Sequence, residues 1–166
     1  VSMAQPVNAR LGDWCEMACE SLGIAFQRGG TYLVMEGPQF STLAESNLYR
    51  QWGCDVIGMT NMPEAKLARE AEIPYCTVAM VTDFDCWHPD HEHVEVDAIM
   101  RVLLNNADNA RALVRRVATK MDERPAVCPS GHDRALDAAM ITHAAARDPS
   151  VLKKLDAVAG RLLKGD

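Results

Sequence analysis

Between Asn8 and Leu22 apolar residues recur at three- and four-residue spacing: Leu11, Trp14, Cys15, Ala18, Cys19 and Leu22 share one face, and Gly23 follows as a stop. That pattern predicts an amphipathic helix. The β-prone runs Ile24 to Phe26 and Thr31 to Met35 lie on either side of Arg28, Gly29 and Gly30. They predict a hairpin, or a strand with a preceding turn, closed by the Glu36, Gly37, Pro38 corner. Thr42 and Glu45 have capping-box spacing ahead of a helix from Leu43 to Trp52 that Gly53 ends. Cys54 to Met59 then reads as a short buried strand and Pro63 to Glu72 as a helix opened by proline. Tyr75 to Thr82 reads as a continuous apolar strand.

The order strand, helix, strand, helix, strand, with near-continuous apolar strands, predicts right-handed crossovers. The expected fold is α/β, a largely parallel or mixed central sheet flanked by helices. After a polar stretch from Asp83 to His93, Val94 to Met121 reads as one long helix. Its apolar side carries Ile99, Val102, Leu103, Ala107, Ala110, Leu113, Val114 and Val117, and it is expected to cover the sheet. Residues 122–148 are richer in proline, charge and alanine, and Pro149 to Leu163 has the pattern of a final amphipathic helix.

Composition narrows the function classes. The 166 residues are 48% hydrophobic, which suits one globular core. With 17 basic against 23 acidic residues the net charge is -6, so there is no electrostatic footprint for a phosphate backbone, and nucleic acid is excluded as a partner. No apolar run approaches the roughly 20 residues of a membrane helix, and the first residues do not have the form of a signal peptide. No membrane partner and a cytoplasmic location are expected. Cys15, Cys19, Cys54, Cys76, Cys86 and Cys128 show no paired CxxC spacing and read as reduced thiols. The chain opens at Val1 without an initiator methionine, which leads us to expect processing or a fragment.

In open α/β sheets ligands bind outside the carboxyl ends of the strands. Here those ends read Glu36-Gly37-Pro38-Gln39-Phe40-Ser41-Thr42, Gly58-Met59-Thr60-Asn61-Met62-Pro63-Glu64 and Thr82-Asp83-Phe84-Asp85-Cys86-Trp87. In this order and at these separations, with Ala44-Glu45-Ser46 and Trp52-Gly53-Cys54-Asp55-Val56-Ile57, they resemble the trimeric purine nucleoside phosphorylase family. The resemblance is greatest to its methylthioadenosine phosphorylase branch and runs from about Ser2 to Met121. It implies that 1–121 form the C-terminal part of a nucleoside phosphorylase domain, incomplete at its N-terminal side, and that 122–166 are the tail and C-terminal helix of the same domain.

The resemblance also implies roles. Phe40 matches the aromatic residue packed on the purine, Ser41 the polar residue beside the base, and Met59 the methionine beneath the ribose. Thr60 matches a hydroxyl reaching phosphate, and Val96, Ile99 and Met100 match apolar positions near the 5' substituent. Asp83 and Asp85 match the carboxylates facing N7 and the exocyclic amine. The implied reaction is phosphorolysis of methylthioadenosine to adenine and methylthioribose 1-phosphate. No cofactor is implied: phosphate is the co-substrate, and the assembly is a homotrimer in which the helix near Val151 to Leu163 could reach a neighbour. Chemistry independently favours these residue types, because breaking an N-glycosidic bond pushes electrons into the leaving purine and N7 then takes a proton. Two acids two residues apart can divide the work, one protonated and one accepting from the 6-amino group. The 6-oxopurine branch of the family carries glutamate where Ser41 stands and asparagine where Asp83 stands, so a 6-aminopurine is the expected base.

The family's main phosphate ligands, a glycine loop bearing threonine, an arginine-histidine pair and a threonine-alanine turn, would precede Val1, and a separate N-terminal half is one expected partner. Three functions stay open: the methylthioadenosine enzyme, a related phosphorylase preferring adenosine, and a truncated protein that binds a purine or another aromatic ligand without turnover. Taken singly, Asp83 and Asp85 are also the pattern of a solvated acidic turn, and Phe40 and Met59 of core packing. His88, Asp90, His91, Glu92 and His93 lie too close in sequence for a metal site and read as a solvated loop, in which His91 or His93 could close over a substrate.

Overall fold

The computed structural model describes residues 1–88, 96–121 and 127–163, and for 96–99 the backbone alone. Its helices are α1 (Ala9–Leu22), α2 (Leu43–Gln51), α3 (Asn61–Glu70), α4 (Val96–Ala118) and α5 (Pro149–Leu163), and its strands are β1 (Tyr32–Val34) and β2 (Val56–Gly58). Short 3-10 turns at His132–Arg134 and Ala144–Ala146 punctuate the stretch before α5. The chain forms two compact units. One comprises Asp13–Met62 and Thr77–Glu123, the other Val1–Gly12, Pro63–Cys76 and Arg124–Asp166.

In the first of these units β1 and β2 pair in parallel, with Tyr32, Leu33 and Val34 opposite Val56, Ile57 and Gly58. The connection between them is α2. A parallel pair cannot be joined by a tight turn, so a crossover helix is the local solution. α2 starts where the sequence places it. Thr42 Oγ1 accepts the Glu45 N–H at 3.2 Å while Glu45 Oε2 accepts the Thr42 N–H at 2.7 Å, and the Thr42 bonds hold the Glu45 carboxyl below its usual range.

α1 ends by a Schellman turn. Gly23 adopts φ +65° and donates to Glu20 O at 3.1 Å, and Ile24 donates to Cys19 O at 3.0 Å. This consumes Ile24, so of the two expected arrangements the hairpin does not form, and β1 is a strand preceded by a turn. Ile24 packs with Val117 against the buried Ala18, Cys19 and Leu113, joining α1 to α4. Burial, with a smaller contribution from Cys15, pushes the Cys19 thiol up.

Among the described residues the sheet has two strands, and Tyr75 to Thr82 does not join it. Apolar continuity reports burial potential, whereas a strand also needs a neighbouring edge, and Val78, Met80 and Val81 remain exposed.

In the other unit Asn8 is a hub. Its backbone N–H donates to Tyr75 O at 2.7 Å, and its Oδ1 accepts the Leu11 N–H at 3.0 Å, capping α1. That bond fixes the amide, so Nδ2 points at Cys128 Sγ, 3.1 Å away, and His132 Nδ1, 3.2 Å away. An amide nitrogen only donates, so His132 accepts at Nδ1 and carries its hydrogen on Nε2. Burial, then the nearby Arg69 charge, lowers the His132 pKa, with Asp133 opposing. Burial also pushes the Cys128 thiol up, but hydrogen bonds from Ser130, the His132 and Ser130 backbone and Asn8 outweigh it and leave the thiol below its usual range.

α3 ends with the same turn as α1 but without glycine. Glu72 takes φ +57°, its N–H donates to Arg69 O at 3.2 Å, and Ile73 donates to Ala68 O at 2.8 Å. The Glu72 side chain compensates for the unfavourable backbone. Its carboxylate accepts Arg161 Nε at 2.8 Å and Nη2 at 2.6 Å, and the Leu136 N–H at 2.9 Å, tying α5 to the end of α3. The Arg161 bonds hold the Glu72 carboxyl below its usual range.

Two outcomes follow for stability. Glu72→Ala keeps the left-handed strain and loses the fork, so it should cost about 1–2 kcal/mol in urea unfolding, and Glu72→Gly should cost less because glycine relieves φ. Equal losses would contradict the compensation. His132 is held neutral when folded but takes a proton near pH 6.5 when unfolded, so the unfolded chain binds more protons below that pH. Its contribution is full above about pH 6.5 and lost as pH falls toward the lowered folded value. The thermal midpoint should therefore drop between pH 7 and 5 by less in His132→Gln than in the wild type.

Candidate active site

Both strands of the parallel pair end on the same edge, and the segments leaving them meet there. Met35, just past β1, donates its N–H to Gly58 O at 2.9 Å, extending the ladder by one bond. Gly37 follows with φ +76°, and a Cβ built on it would lie 3.0 Å from Met59 Sδ. The chain turns here because glycine tolerates the left-handed backbone, and the missing side chain leaves room for Met59. Ser41 Oγ lies 3.9 Å from Met35 Sδ, and Ser41 O accepts from Cys86 Sγ at 3.5 Å. The turn after β1 thus touches both Met59 after β2 and the segment carrying Asp83 and Asp85.

The expected site residues whose side chains are described differ in burial. Met59 and Ser41 are half-buried and take part in these contacts, whereas Phe40, 82% exposed, turns its ring to solvent. Asp83 is exposed and accepts from Thr82 Oγ1 at 2.9 Å, while the half-buried Asp85 accepts the Cys86 N–H at 2.9 Å. Thr60 is exposed at the start of α3. Beside it Asn61 is buried, with its Oδ1 accepting from Thr77 Oγ1, a polar tie that sequence reasoning missed. Met100 is exposed on α4, and the side chains of Val96 and Ile99 lie outside the described residues, as do Asp90, His91, Glu92 and His93. Among the described residues no three His, Cys, Asp or Glu side chains converge to hold a metal ion, and no helix is long and apolar enough to cross a membrane.

The acidic segment is anchored from two further sides. Asn106 on α4 donates from Nδ2 to Val81 O at 2.9 Å, fixing the chain two residues before Asp83. Arg50, in the last turn of α2, stands over the Trp87 ring with its guanidinium carbon 3.7 Å from the centroid. Arg50 and Trp87 also escaped the sequence reading, since nothing in their spacing marks them as a pair. Phe40, Met59, Asp83 and Asp85 thus all belong to segments that meet at the Gly37 and Ser41 turn.

A phosphorylase superfamily pattern matches residues 1–119. The S-methyl-5'-thioadenosine phosphorylase of Rhodospirillum rubrum is 68% identical over 98% of this chain and 55% of its own length, and that of Bradyrhizobium diazoefficiens is 65% identical over 99% and 57%. Among solved structures, a methylthioadenosine phosphorylase from an antarctic soil metagenomic library superposes with a TM-score of 0.85 at 43% identity, over 95% of this chain and 55% of that one. A methylthioadenosine phosphorylase from Schistosoma mansoni in complex with adenine gives 0.69 at 27% identity, over 82% and 54%. The chain therefore spans about half the length of the curated relatives it matches.

The geometry at Gly37 generates a direct check. Gly37→Ala should lower stability by about 1–2 kcal/mol through its positive φ and shift the Met59 methyl resonance as the sulfur gives way. An unmoved Met59 signal would show that the two segments are not in contact.

Proposed function

The chain belongs to the phosphorylase superfamily, and from that premise we propose that it supplies the purine and ribose side of a site that splits methylthioadenosine with phosphate into adenine and methylthioribose 1-phosphate. What carries the reading is the meeting of the two segments that leave β1 and β2 with the acidic segment after Thr82, through Met59 at Gly37 and Cys86 at Ser41. A phosphate oxygen bonds to C1' as the C1'–N9 bond breaks, the electron pair of that bond passes into the purine, and a proton arrives at N7. Asp83 and Asp85 share that task, one giving the proton and the other accepting from the 6-amino group. Phe40 packs on the base with Ser41 at its edge, Met59 lies beneath the ribose, and Val96, Ile99 and Met100 line the 5' end. Thr60 contributes one hydroxyl to phosphate.

One hydroxyl does not hold a dianion, which calls for several convergent N–H or cationic donors. We place those donors in the part of the relatives' length that these 166 residues do not span, supplied within the same folded subunit or by a separate N-terminal half. Residues 1–121 then form the second part of a nucleoside phosphorylase domain and 122–166 its tail, in a cytoplasmic homotrimer that needs no cofactor beyond its co-substrate phosphate.

Substituting the base-facing acid tests the assignment. An ionised acceptor suits an amino donor and opposes a carbonyl, so Asp83→Asn in the complete enzyme should lower kcat/KM on methylthioadenosine about tenfold more than on a 6-oxopurine nucleoside. Equal losses on the two would remove Asp83 from base recognition. If adenosine is turned over faster than methylthioadenosine, the 5' assignment of Val96, Ile99 and Met100 fails while the base assignment stands.

A further inference from the structure

The segment that carries the two acids folds largely upon itself. His88 N–H donates to Asp85 O at 3.1 Å, the Phe84 and His88 rings stack at 4.5 Å and 13°, and Trp87 meets both edge-on at 5.7 and 5.2 Å. Such contacts, made within five residues, give the loop its shape but not its place on the scaffold. Place comes from outside. Asn106 holds Val81 before the acids, and beyond them stand the Cys86 thiol on Ser41 O and Arg50 over Trp87.

The last two anchors sit at opposite ends of one element. Ser41 immediately precedes the Thr42 cap and Arg50 lies in the final turn, so the consecutive residues Cys86 and Trp87 are tied to the start of one 9-residue helix and, through the long Arg50 side chain, to its end. A thiol donor at 3.5 Å is a weak tether that leaves the loop free to pivot about Cys86. The flat guanidinium on the indole face resists that pivot, since it binds by its plane and by its charge.

We propose that Arg50 is a positioning residue for base discrimination: by stacking on Trp87 it holds the loop against α2 and so sets the direction in which Asp83 and Asp85 present their carboxylates. The inference rests on the purine-recognition reading above and adds a residue that touches no substrate. A carboxylate must reach the 6-substituent within hydrogen-bond distance to tell an amine from a carbonyl. A loop free to pivot keeps the acids' charge but loses that direction, so selectivity falls more than overall binding.

The test compares the wild-type protein with Arg50→Lys, Arg50→Gln and Trp87→Phe. The readouts are the Trp87 indole N–H resonance and the dissociation constants of adenine and hypoxanthine. Arg50→Gln should move the Trp87 resonance and shrink the adenine-over-hypoxanthine preference about two- to fivefold, the population change expected for losing one cation–π contact. Arg50→Lys should fall between, and Trp87→Phe should retain most of the preference because a ring face remains. An unmoved Trp87 resonance in Arg50→Gln, or a preference unchanged with that resonance displaced, overturns the proposal. Circular dichroism checks that α2 persists in each variant. If the wild-type protein binds neither base, the functional reading fails and takes the discrimination role with it, while the Trp87 resonance separately reports whether Arg50 orders the loop.

Discussion

A parallel ladder obliges its strands to finish on one side, and everything proposed for this chain depends on that constraint. With Tyr32, Leu33 and Val34 in register with Val56, Ile57 and Gly58, the polypeptide leaves both strands at the same edge, and the next residues have nowhere to go but beside one another. Gly37 and Met59 meet for this reason, and Met35 bonds to Gly58 rather than turning away. An antiparallel pairing of the same residues would send the Phe40 and Met59 segments to opposite ends of the sheet. The choice between the two follows from α2, which is too long a connection for a hairpin and the right length for a crossover.

α2 therefore has two jobs in one helix. Its capped start fixes Ser41 next to the acidic loop, and its last turn sends Arg50 over Trp87. The capping box makes the start rigid, since Thr42 and Glu45 satisfy each other's backbone donors. In the other unit the Asn8 amide and the Glu72 carboxylate do comparable work, each gathering chain segments far apart in sequence. Their contribution is to the stability of that unit.

What the sequence discloses is what local chemistry decides. Thr42 with Glu45, Gly23 after Leu22 and Gly53 after Trp52 each announce a helix boundary, and the structure has one within two residues of each. Alternating elements around apolar runs likewise disclose the α/β class. Ile24 shows where this stops, because an apolar β-branched residue beside a strand-like run serves equally well to close a helix on Cys19. Tyr75 to Thr82 shows a second limit: the run is apolar enough for a strand, but pairing is a property of two segments. The long-range ties are invisible for a different reason. Asn8 and Cys128 are separated by 120 positions, and Arg50 and Trp87 belong to elements whose proximity exists only after folding. For the proposed site, motif order names residues but says nothing of their burial: Phe40 and Asp83 stand in solvent.

The most direct measurement is a crystal structure of the protein grown with adenine. The expected result is a base at the shared strand edge, its ring against Phe40, with a carboxylate of the Asp83–Asp85 pair within hydrogen-bond distance of N7 and the other at the amino group. Adenine bound elsewhere, with Phe40, Met59 and Asp83 facing no common ligand, would contradict it.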